Sequence, residues 1–258
     1  MSAHGSATAR SIGFDDDAGA GPAPVHLDGQ LMVFNKPAGL LAVPGRGVDK
    51  QDCLAARVAR AWPEARVVHR LDMATSGLMV FARSAAMQAA LGTLFATGAI
   101  DKTYTALVHG RPLMSPPSTP VGDDGGTWSL IDLPIAADWP RRPLQVIAPE
   151  GRPSQTLWRI ADEADAVPSS AALRSRWPVH TRLLLRPLTG RTHQLRVHLR
   201  AIGHPILGDA LYADGDDTAG ANGTPAAPVD RLMLHATRLS FIHPSTQARL
   251  DLYSPCPF

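Results

Sequence analysis

The chain has 258 residues, 45% hydrophobic and 19% charged, which suits one large or two small globular domains and excludes an intrinsically disordered chain. No apolar run approaches the ~18 residues of a membrane span, and Cys53 and Cys256 form no C-x-x-C pair, so a reducing cytoplasm is expected, and a disulfide scaffold or cysteine-based zinc site is not. The net charge of +2 hides an uneven distribution: residues 171–204 carry Arg174, Arg176, Arg182, Arg186, Arg191, Arg196 and Arg200, four histidines and no acid. Such a stretch reads either as an anion-binding face, with nucleic-acid phosphate the usual partner, or as a plain solvated face in an arginine-biased chain.

Residues 1–24 are rich in glycine, alanine and serine and carry Asp15, Asp16 and Asp17. They have no basic or apolar region of the signal-peptide kind and predict a disordered tail, placed at 1–26 ahead of one domain over 27–258. The apolar run at 31–34, stopped by Lys36-Pro37-Ala38-Gly39, predicts a buried strand ending in a turn. A short helix is expected over 52–62, ended by Pro63. Strands are expected at 67–68 and 78–81, with a polar loop between them at 69–77. Ser84 is the N-cap of a helix with Met87, Leu91, Leu94 and Phe95 on one face, closed by Gly98. Residues 102–108 alternate as a strand ending at Gly110. Loops are expected at 115–126 and 213–229, and strands at 144–148, 155–160, 181–186, 232–242 and 248–253. Thr192 is taken as the N-cap of a helix carrying Leu195, Leu199 and Ile202, ended by Gly203 and Pro205. The pattern predicts an α+β fold, a mixed and largely antiparallel sheet with flanking helices.

The chemistry narrows by exclusion. His193 and His198 are spaced by five, about 140° apart on a helix and on opposite sides of a strand, and no H-E-x-x-H is present, so no metal site is expected. Ser76 does not stand in G-x-S-x-G, and neither the zinc-deaminase signature nor a second loop carboxylate for glycoside hydrolysis is present. One carboxylate remains in the 69–77 loop, Asp72, beside His69 and Arg70. By itself it is either a turn residue paired with Arg70 or a carboxylate kept ionised by an arginine and used as a nucleophile.

Residues 69–78 (HRLDMATSGL) resemble the catalytic motif of the RluA-type pseudouridine synthases. The segment 102–110 (KTYTALVHG) is similar to a second family motif, and 188–199 (LTGRTHQLRVHL) with 202–209 (IGHPILGD) to a third. Residues 232–236 (LMLHA) and 241–244 (FIHP) match the C-terminal segment. The resemblance spans about residues 27–258, and its motifs occur in the family order.

The resemblance implies conversion of uridine in RNA to pseudouridine: the N-glycosidic bond breaks, the base turns and a C–C bond forms to C5, with no cofactor and no metal. It implies a catalytic cleft with Asp72 as nucleophile or base, Tyr104 stacked on the uracil, and Arg191 paired with Asp72. Arg70 would hold the target out of its stack, and Leu234 or Leu232 would wall the base. His69, Lys102, His193 and Arg196 would join Arg70 and Leu234 in contacting RNA. With 26 residues ahead of the domain, no N-terminal S4 domain is expected. The short subtype that residues 137–143 fit implies action on a tRNA anticodon stem-loop and/or a 23S rRNA hairpin, and a monomer is expected. The same chemistry on another RNA, a non-catalytic RNA-binding relative and a nucleic-acid glycosylase are the competing readings.

Overall fold

A computed structural model describes residues 22–113, 127–162, 179–212 and 231–258. The expected loops at 115–126 and 213–229, most of the expected tail, and Arg174 and Arg176 lie outside the described residues. Order begins earlier than the sequence suggests, because Pro24–Leu27 forms strand β1 on the edge of β2, Leu31–Lys36.

Both β2 and β4 (Ser76–Ala82) read as continuous apolar runs because both faces of their sheet are covered. Leu31, Val33, Leu78 and Val80 face helix α2 (Ala85–Thr97), whereas Met32, Phe34, Met79 and Phe81 pack with α1 (Leu54–Ala61). Ser84 accepts the Met87 N–H, and Gly98 closes α2 in the left-handed conformation, as expected. Between α1 and β4, Arg66–Val67 pairs with β4 as β3.

The second half of the sheet consists of β5 (Asp101–His109), β6 (Ser129–Asp132), β9 (Gln155–Ile160) and β10 (His180–Pro187). Strand β11 (Leu234–Ile242) joins the halves: along one edge it pairs antiparallel with β5, and along the other it meets first β4, in parallel, and then β12, Arg249–Tyr253. The order is β1-β2-β4-β11-β5-β10-β9-β6, with all pairings antiparallel except β4–β11. At that fork Gly77 has φ +115°, and a Cβ there would lie 2.3 Å from the Ala236 carbonyl oxygen, so only glycine fits.

A small hairpin of β7 (Ile135–Ala137) and β8 (Gln145–Ile147) stands off the main sheet. It packs with Val197 of the third helix, α3, Gln194–Ala201. The sequence reading missed β1, β6 and β7, which are short. It also misplaced the start of α3: His193 and not Thr192 is the N-cap, at φ 54°, with no side-chain cap bond. Leu195 and Leu199 are buried in the core of the second half, with Ile202 packed against it. No helix among the described residues is long and apolar enough to cross a membrane.

Candidate active site

A cleft opens where the two halves of the sheet meet. Its floor is strand-built: Lys102 and Tyr104, two residues apart on β5, share a face, and Leu234 on neighbouring β11 pairs opposite Ala106 on that same face. One wall is the loop ahead of β4, with Arg70, Asp72 and Thr75; the other is the segment entering α3, with Thr189, Arg191, His193 and Arg196. Asp72 is the one carboxylate among the described residues lining the cleft.

The Asp72 loop is fixed from beneath. Lys36 is fully buried, and its Nζ donates to the carbonyls of Pro37, Leu40 and Met73 at 2.8, 2.7 and 3.0 Å. The Gly39 N–H also donates to Met73 O, and Thr75 N–H closes a turn on Asp72 O. Burial pushes the Lys36 ammonium down to about 7, opposed by the nearby Asp72 charge. The strand that follows is locked at Ser76, whose Oγ accepts from Arg231 and bonds His235 Nδ1 at 2.8 Å. Ser76 is therefore bound into the frame of the cleft.

The facing wall carries the cation nearest Asp72. Arg196 is 5% exposed; its Nε and Nη2 donate to the buried Asp209 carboxylate at 2.8 and 2.6 Å, and its Nη1 lies 3.6 Å from Asp72 Oδ2. Asp209 also accepts the N–H groups of Leu211 and Tyr212, which sets its orientation. His193 Nε2 lies 3.9 Å from the same Asp72 oxygen, and its Nδ1 lies 2.7 Å from the Tyr212 hydroxyl. That hydroxyl also accepts from Gln145 N–H, which fixes the Tyr212 oxygen against the His193 ring. Behind this wall, Gln194 takes the Thr189 hydroxyl and the Arg191 N–H on its oxygen and donates to Gln155 O and Thr156 Oγ1. His198 bonds Thr156 Oγ1 and Leu133 O. Burial raises the pKa of Tyr104, with the Asp72 charge adding to it, so the phenol stays protonated at neutral pH.

An RNA pseudouridylate synthase family model matches residues 30–201. The chain belongs to the RNA pseudouridylate synthase family. It is 40% identical over 235 residues to the dual-specificity RNA pseudouridine synthase RluA of Escherichia coli K12, covering 91% of this chain and 93% of that protein. The Vibrio vulnificus protein of the same name is 41% identical over 235 residues, 91% of this chain and 83% of the relative. Among solved structures, human RNA pseudouridylate synthase domain containing 1 superposes with a TM-score of 0.64 at 26% identity, over 92% of this chain and 84% of that one. The synthase is thus an isomerase of RNA, turning uridine into pseudouridine.

Eight of the nine site residues expected from the synthase's sequence line the cleft: Arg70, Asp72, Lys102, Tyr104, Arg191, His193, Arg196 and Leu234. Two assignments change. Arg191 does not pair with Asp72; its Nε reaches Pro153 O at 3.3 Å, because it lies before α3 begins, whereas Arg196 sits on the first turn of the helix. His69 turns inward: its ring stacks on Phe95 with centroids 4.3 Å apart, and its Nε2 accepts the Val80 N–H. Burial holds its pKa down at about 3, and the ring serves the packing of the loop onto α2. Leu232 is in the core of the second half, leaving Leu234 as the apolar wall. Nor is the arginine run one solvated face. Arg182 donates to Phe258 O, Arg186 lies 3.7 Å from Asp101, and Arg196 is buried on Asp209. The sequence reading passed over Asp209, Gln194, Lys36 and Tyr212. Asp209 and Gln194 lay inside quoted motifs, and a lysine closing the strand that begins with the apolar run 31–34 was the available signal for Lys36.

Proposed function

We propose that the synthase acts on uridines in a tRNA anticodon stem-loop and in a 23S rRNA hairpin, with Asp72 as nucleophile or base. The observation that carries this is a single, partly exposed carboxylate facing a buried guanidinium and a protonated phenol in a cleft whose other charged lining residues are cations. Arg196, oriented by Asp209, sets a guanidinium charge 3.6 Å from the Asp72 carboxylate. Tyr104 packs on the flipped base and Leu234 walls its other side. Flipping costs a few kcal/mol, least in a loop already partly unstacked, which favours hairpin loops over duplex. Arg70, Lys102 and Arg191 make no ion pair within 4 Å with any described residue and suit backbone phosphates. Three such contacts, at a slope of about −0.7 each, lower log affinity by roughly two units per tenfold rise in salt. Two free, buried cysteines suit a reducing cytoplasm, and the synthase works there as a monomer.

Tritium release from 5-tritiated uridine in each isolated hairpin tests the reading. Turnover on both is expected. Turnover confined to intact ribosomal subunits, or to an unrelated RNA, overturns the dual substrate while leaving the isomerase. Release of free uracil overturns the isomerase.

A further inference from the structure

The turn of the β7–β8 hairpin carries an aromatic that the cleft does not use. Trp139 is 69% exposed, the one exposed large apolar side chain among the described residues of the hairpin. The Arg142 guanidinium lies over its ring, 3.4 Å from the centroid. Asp138, buried beneath, neutralises only Arg141: it accepts Arg141 Nε at 2.7 Å and caps the turn through the Arg141 N–H. Arg142 makes no ion pair with any described residue, so its charge is left for something outside. The turn is also tethered to the reaction site. Gln145 N–H donates to the Tyr212 hydroxyl, which bonds His193, whose Nε2 faces Asp72; the Tyr212 ring in turn lies under Arg196, 5.0 Å from its guanidinium carbon.

We propose that Trp139 and Arg142 form a second RNA-binding platform, on which an unpaired base flanking the target uridine stacks while the Arg142 charge meets its phosphate. The proposal rests on the reading of the synthase as acting on hairpin loops. An indole with one face on a guanidinium and the other open extends to a base–indole–guanidinium stack with little loss of side-chain freedom. The turn favours RNA over a protein partner: Trp139 is followed by Pro140, Arg141, Arg142 and Pro143, and it is the one exposed large apolar side chain among the described residues of the hairpin, whereas protein interfaces bury clustered apolar side chains and are depleted in charge at their core. Base stacking on an aromatic is worth roughly five- to 150-fold in affinity by alanine substitution and tolerates any base. The platform therefore supplies grip, and the tether to Tyr212 fixes its distance from Asp72.

The test compares wild type with Trp139→Ala, Trp139→Phe and Arg142→Gln. Filter binding to an unmodified tRNA transcript is read together with single-turnover tritium release at saturating RNA. Trp139→Ala should weaken binding about tenfold and leave the saturated rate within about twofold, with Trp139→Phe close to wild type. Arg142→Gln should make the slope of log affinity against log salt shallower by about 0.7. Unchanged affinity in Trp139→Ala, with circular dichroism showing it folded, overturns the platform. So does a loss of self-association on sedimentation with RNA affinity intact, which would give the surface to a second copy. Wild-type inactivity on the hairpins would instead strike the substrate reading, and the binding series would still judge the platform by itself.

Discussion

The Asp72 loop and the segment from Thr189 to His198 face each other across the cleft, and they are held by different means. The loop is anchored through its backbone: Met73 O takes both Lys36 and Gly39, and Asp72 O takes Thr75, so the Asp72 side chain is free of structural duty and about a third exposed. The facing segment is anchored through side chains. Thr189, Gln194, Arg196 and His198 all spend their polar groups inside the protein. Chemistry can therefore be removed from one wall without disturbing the fold, whereas the other wall carries fold and electrostatics in the same atoms.

The sharpest way to break this contrast is to substitute both walls. Asp72→Asn should lower turnover at least about a thousandfold, with unchanged unfolding midpoint and RNA affinity. A variant keeping a tenth of the activity would make Asp72 a structural residue. Asp209→Ala strands a buried guanidinium and should cost about 3–5 kcal/mol in urea unfolding, with turnover falling as Arg196 loses its orientation. Wild-type stability would show that the ion pair does not hold the wall.

A third test concerns the histidines that frame the loop. His69 and His235 are held neutral by burial, at about 3 and about 4 against an ordinary 6.5. Between those values the unfolded chain binds more protons, so stability falls as pH drops below 6.5 toward 4, by up to ~1.4 kcal/mol per pH unit for each histidine. His69→Gln can keep an acceptor for the Val80 N–H and should flatten that slope in urea titrations from pH 4 to 7. An unaltered slope would remove His69 from the acid sensitivity. The smallest effect separates the two arginines. Arg191→Met should raise KM by about three- to tenfold with kcat intact, as for loss of one phosphate contact, whereas Arg196→Met should lower kcat. Equal kcat losses would return Arg191 to the side of Asp72.

Much of this was legible in local sequence. Ser84 and Gly98 bracket α2 because capping satisfies orphan backbone groups within a few residues. Strand β9 was read with its observed bounds, Gln155–Ile160, and the cleft's composition followed from motifs whose residues do gather there. The short strands β1 and β7 were not legible, since three or four residues carry too little periodicity and depend on a neighbouring strand for their hydrogen bonds. The inward turn of the His69 ring was not legible, because its motif position says nothing of which way the ring turns; Phe95, on a helix formed later in the chain, decides that.

The sequence by itself determined the caps of α2, the one loop carboxylate and the set of cations that could serve it, because these follow from residue type and short-range geometry. Only the tertiary structure decided which cation Asp72 meets. The left-handed turn at His193 starts α3 beyond Arg191 and places Arg196 on its inner face, where Asp209 waits thirteen residues on. Charge pairing depends on distance in space, and that distance was set only when β11, more than a hundred residues further along the chain, was laid between β4 and β5.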